Sequence, residues 1–109
     1  MTNPKPGEVY WVDLGLKGKL RLLLVVSRED VDAERALCVC VPLPTQIRGG
    51  DYEVKLPHVR WLPGTEAGVA NVQGLTSVEN HRLARRAGRF EAQVNLCVRD
   101  KIAWLLELN

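Results

Sequence analysis

Residues 21–27, RLLLVVS, hold an almost unbroken apolar run, and that run limits what the chain can fold into. Because it does not alternate, it reads as a strand buried on both faces, and it is far too short to cross a bilayer. The stretch before it, EVYWVDL from Glu8 to Leu14, does alternate: Val9, Trp11 and Asp13 fall on one side, Tyr10, Val12 and Leu14 on the other. Two glycines and two lysines in GLKGKL supply a turn between the two segments, which therefore form a hairpin. LCVCVPL returns as a third strand ended or bent by Pro42 and Pro44, since proline cannot donate a ladder bond. YEVKLP reads as a further strand, and GVANVQGLTSV as another with a bulge at Gly74.

Only the last segment changes period. From Glu91 to Leu108, Val94, Cys97, Val98, Ile102, Leu105 and Leu108 recur near i, i+3, i+4, so an amphipathic helix lays this stripe on the sheet. Trp104 and Leu106 lie off the stripe and call for a second surface. One helix cannot supply the crossovers of a doubly wound fold. The expectation is a mainly β, α+β fold: a small curved SH3-like barrel of about five strands with a C-terminal helix, forming one domain across residues 1–109.

A net charge of +2 decides little, but its distribution is uneven. HRLARRAGR, His81 to Arg89, gathers four arginines and a histidine without an acid, a basic turn able to face phosphates. Lys17, Lys19 and Arg21 make a second basic group. The polar start MTNPKPGE lacks the apolar core of a signal peptide, so a cytoplasmic chain is expected. Cys38 and Cys40 share one strand face as small hydrophobes, Cys97 falls on the helix, and neither His58 nor His81 has zinc-motif spacing. No metal and no cofactor are expected.

Taken in order, GEVYWVDLG, RLLLVVS, CVCVPLPTQ, YEVKLP and GVANVQGLTSVENHRLARRAG resemble the MazF/PemK/Kid family of toxin endoribonucleases. The likeness runs from Gly7 through the final helix. It implies a homodimer, a groove for single-stranded RNA at the dimer interface, metal-independent cleavage, and a cognate antitoxin peptide that covers the groove. DNA is a further candidate ligand; a membrane is not. By the same resemblance Arg21 matches a catalytic arginine, and Thr45 stands beside the place of a catalytic threonine. The basic and amide residues Lys17, Lys19, Gln46, Arg48, Gln73, Arg82, Arg85 and Arg86 are the candidates for contacting nucleic acid.

The chain also departs from the family pattern. Pro44 occupies the threonine's position, GLKGKLRL is shorter than the family's first hairpin loop and lacks its glutamate, and Leu22 replaces a proline after the arginine. Ala70 and Val72 stand near the place where Kid-like members carry an arginine and an aspartate. His58 or His81 could supply proton transfer near neutral pH. Two other functions fit the scaffold: a catalytically degenerate module that binds nucleic acid or antitoxin, and, by analogy with the related CcdB fold, an inhibitor of a protein target.

Overall fold

The computed structural model describes residues 3–15, 18–63 and 68–108. The alternating segment forms β1 (Glu8–Asp13) and the apolar run forms β2 (Leu20–Val25), paired antiparallel with Val9 opposite Leu24, Trp11 opposite Leu22 and Val12 opposite Arg21. The other elements are β3 (Leu37–Pro42), β4 (Glu53–Lys55), β5 (Val69–Asn71), β6 (Thr76–Glu79), β7 (Leu83–Arg89) and α1 (Ala92–Leu105). Five of the strands make one sheet in the order β6-β3-β2-β1-β7, while β4 and β5 pair separately.

The two edge strands of this sheet, β6 and β7, are consecutive in the chain, joined by a single turn, Asn80–Arg82. Edges so linked must come together, and the sheet curls into an open, barrel-like cup. Inside the curl lie Val12, Leu23, Val25, Cys38, Cys40 and Val78. On the outer face Val9, Leu24, Val26, Val41 and Leu43 form a second core with Val98 of α1 and with Leu56, Ala70 and Val72 around the β4–β5 pair. β2 is thus covered on both sides, with Leu24 and Val25 fully buried, as its unbroken apolar run demands. Cys38 and Cys40 share the inner face with their sulfurs 3.7 Å apart. That contact and burial push the Cys40 thiol above its ordinary pKa, so it packs as a neutral group.

Three features differ from the sequence reading. HRLARRAGR is largely strand: β7 takes up Leu83–Arg89 and pairs with β1 through two register shifts. Its Ala, Arg and Gly have little strand propensity, and the strand exists because β1 offers it a partner edge. Gly88 is essential there, since a Cβ would stand 2.2 Å from the Trp61 ring that packs on it. GVANVQGLTSV divides into β5, a 3₁₀ turn at Val72–Gly74 and β6; Gly74 closes that turn against the Pro42 ring and is not a bulge.

The helix stops at Leu105, short of the expected Leu108. There Glu107 turns left-handed at φ 56°, with its N–H donating to the Trp104 carbonyl and the Leu108 N–H to that of Ala103. This is a Schellman ending, usually built on glycine. It leaves Leu108 exposed; Cys97 is exposed as well, so the packed stripe is Val94, Val98, Ile102 and Leu105. Glu107→Gly relieves the left-handed strain and is expected to raise stability by about 1 kcal/mol, or the melting midpoint by about 4 °C. Leu24→Ala is expected to lower stability by about 2–5 kcal/mol. Thermal and urea unfolding of both variants measure these effects, and a destabilised Glu107→Gly would contradict the account of the helix end.

Candidate nucleic-acid interface

Arg21 shares a sheet face with Leu23 but lies where β2 leaves the hairpin loop, so its side chain is exposed. The exit of β3 runs beside it. Leu23 faces Pro42, and the Leu43 N–H donates to the Leu22 carbonyl at 3.0 Å, carrying the ladder one step beyond β3. The next step in this register sets Pro44 across from Arg21. Pro42 and Pro44 both occupy positions whose N–H would point away from β2, so neither removes a bond from this ladder. Pairing with β6 has also ended before Pro42, at Cys40 opposite Thr76. Thr45 and Gln46 follow in an exposed bend, where strand alternation no longer fixes which way a side chain points.

The loop after this bend is held by a group that the sequence reading missed. The Glu53 carboxylate accepts the backbone N–H of Arg48 at 3.0 Å and of Gly49 at 2.7 Å, and Gly49 adopts φ 75° to present it. These N–H donors, that of Arg48 first, hold the Glu53 carboxyl below its ordinary pKa. Behind the loop, the Val72 N–H donates to the Tyr52 carbonyl at 2.9 Å, and the Asn71 side chain accepts the Gln73 N–H at 3.1 Å. Gln73 is exposed on that turn, next to the strand that ends the Arg48 loop.

The basic candidates separate into two kinds. Lys19 is exposed just before β2, and Arg48 is exposed on its pinned loop; Lys17 lies outside the described residues. Arg82, Arg85 and Arg86 each have an intramolecular partner. Arg82 spans the Glu79 carboxylate at 3.2 Å and the Asp13 carbonyl at 3.4 Å, bracing the foot of the hairpin loop. Arg85 lies 5.6 Å from the centre of the Trp11 ring. Arg86 pairs at 3.1 Å with Glu8, a buried carboxylate that also accepts the Tyr10 hydroxyl at 3.0 Å and the Lys5 N–H at 2.7 Å. Burial first, then this bond to Glu8, push the Tyr10 phenol up to about 12. Arg85 and Arg86 face neighbouring residues of β1 and so lie on opposite sides of the sheet. His81 is exposed, 3.9 Å from Glu79, and His58 is exposed beyond β4.

A curled antiparallel sheet with one C-terminal helix is the fold of a class of small toxins. The chain belongs to the PemK-like, MazF-like toxins of type II toxin-antitoxin systems, matching that family over residues 5–106. It is similar in structure to a chain of the MazE–MazF complex from Deinococcus radiodurans, with a TM-score of 0.82, 25% identity and 97% of both chains covered. An endoribonuclease in complex with its cognate antitoxin from a mycobacterial species gives a TM-score of 0.81 at 24% identity, again over 97% of both chains. The Mycobacterium tuberculosis toxin MazF-mt6 gives 0.76 at 22%, covering 94% of this chain and 98% of that one. No curated protein matches the sequence. Among the described residues no helix is long and apolar enough to span a membrane.

Glu53→Gln removes the charged acceptor while keeping the side chain's size. Amide hydrogen exchange at Arg48 and Gly49 is expected to speed up severalfold, with the amides of β2 unchanged. In the wild type the restraint is complete above the ordinary carboxylate range, because the folded group titrates lower, and it is lost as pH falls through the lowered value. Equal protection of both amides in wild type and variant would remove Glu53 from this role.

Proposed function

We propose that this toxin-family chain is a metal-independent endoribonuclease that cleaves single-stranded RNA as a homodimer and is silenced by a cognate antitoxin. The observation that carries the reading is Arg21: exposed, making no ion pair among the described residues, and set across from the exit of β3 in a chain that matches a toxin family from residue 5 to residue 106. In this chemistry the ribose 2′-oxygen gives up its proton and bonds to the adjacent phosphorus. The bond from phosphorus to the 5′-oxygen breaks, that oxygen takes a proton, and a cyclic phosphate remains. Extra negative charge gathers on the phosphoryl oxygens, where a planar guanidinium offers two parallel donors. Thr45 is the nearest hydroxyl along the chain from Pro44.

Dimerisation and antitoxin binding have their own support. Trp104 and Leu106 remain 44% and 50% exposed at the end of α1, where Trp104 packs on Tyr52 at 5.3 Å, an apolar surface that a second copy would cover. A structurally similar endoribonuclease is solved in complex with its cognate antitoxin. Equilibrium sedimentation checks the dimer.

One observation favours a second reading. Pro44 has no hydroxyl to offer opposite Arg21, which suits a scaffold that binds nucleic acid or antitoxin and no longer cleaves. Cleavage of single-stranded RNA with metals chelated decides between the two. Arg21→Ala is expected to lower the rate by about 100-fold, the usual cost of losing one charge-stabilising donor. Pro44→Thr is expected to raise it. Wild-type cleavage that survives Arg21→Ala would end the proposed mechanism, whereas no cleavage by the wild type and none by Pro44→Thr would favour the binding scaffold.

A further inference from the structure

At the end of β2 away from Arg21, a hollow of about 380 Å³ opens between four parts of the chain. It is lined by Lys5 and Pro6 of the N-terminal turn, Arg28 and Glu29 after β2, Arg89 at the end of β7, and Arg99 on α1. Backbone bonds hold three of these parts together. The Gly7 N–H donates to the Val25 carbonyl and the Phe90 N–H to the Gly7 carbonyl, each at 2.9 Å, tying the N-terminal turn to the ends of β2 and β7. At φ 94°, with a Cβ position only 3.1 Å from the Phe90 carbonyl oxygen, residue 7 must be glycine.

The charge here is unspent. Arg82, Arg85 and Arg86, the basic cluster that stands out in the sequence, are all engaged within the molecule. Lys5, Arg28, Arg89 and Arg99 make neither an ion pair nor a cation–π contact among the described residues, even with Glu29 on the same wall. Four like charges around one hollow repel each other, and a bound anion relieves that repulsion. Three of the four are guanidinium groups, whose fork fits a phosphate. Among the described residues no aromatic side chain lines the hollow, so none of them is placed there to stack on a base.

We propose that this hollow is a second, sequence-blind site for the phosphates of a single nucleic-acid strand, beyond the far end of β2, which lies about 13 Å along the strand from Arg21. The proposal rests on the RNA reading above. It adds a grip on the strand remote from the bond that is cut, one that responds to length and salt but not to base identity.

The test uses the full chain and an oligodeoxythymidylate of about 20 nucleotides, which lacks the 2′-hydroxyl needed for cleavage. With Arg28→Gln and Arg99→Gln combined, affinity at low salt is expected to fall about tenfold. The slope of log K against log salt is expected to become shallower by about 1.4, the loss of two phosphate contacts on a single strand. Arg28→Lys with Arg99→Lys keeps the charges and should keep the wild-type slope. Affinity and slope both unchanged in the glutamine variant would overturn the proposal, as would a lysine variant that loses the slope. A polyglutamate peptide of equal length that binds as tightly through the same arginines would also overturn it, because the hollow would then read an acidic peptide. Inorganic phosphate that displaces the strand at the strand's own concentration would overturn it in favour of a free-anion site. Failure of the endoribonuclease reading is visible separately: a wild type that cuts no RNA but shows the glutamine variant's loss of binding keeps this site and loses the enzyme.

Discussion

Burial of β2 on both faces governs the rest of the molecule. Leu24 must be covered from one side and Leu23 and Val25 from the other, at a gain of about 1.5–3 kcal/mol for each large side chain removed from water. A chain with one long helix can cover only one face with it. The other face has to be covered by the sheet itself, and the curl that brings β6 toward β7 does so. Arg21 is a product of the same arrangement. It continues the inner-face row of Leu23 and Val25, and becomes exposed because the strand leaves the cup there.

The elements that could be read in the sequence are those whose partners sit on the adjoining segment or whose pattern is strong. The alternation of Glu8–Asp13, the apolar run of β2 and the paired inner-face cysteines of β3 define the hairpin and its neighbour without long-range information. β7 could not be read in this way. Its leucine, alanines and arginines favour a helix over a strand, and only the distant edge of β1, reached through two register shifts, makes them a strand. The helix end differs from its period for a local reason: Leu108 fits the period, but a left-handed Glu107 ends the helix before it.

The same division runs through the functional residues. Arg21 and the Pro44–Gln46 exit stand out because each adjoins a distinctive strand, and continuing the register sets Pro44 across from Arg21. Glu53 carries no such mark, since what it binds is backbone N–H, which no side-chain pattern announces. The run HRLARRAGR misleads in the other direction: dense in charge, it becomes a strand whose Arg85 and Arg86 face opposite sides and neutralise a buried carboxylate or cover an indole ring.

The pairing of β1 with β7 also orders events in time. The first strand of the sheet in chain order is completed by the last, so β1 waits with one edge bare until Leu83–Arg89 has been made. At roughly 5–20 residues per second this lasts several seconds, during which the arginine-bearing strand has no finished cup around it. Truncation before Leu83 leaves β1 with an exposed strand edge that is prone to aggregation.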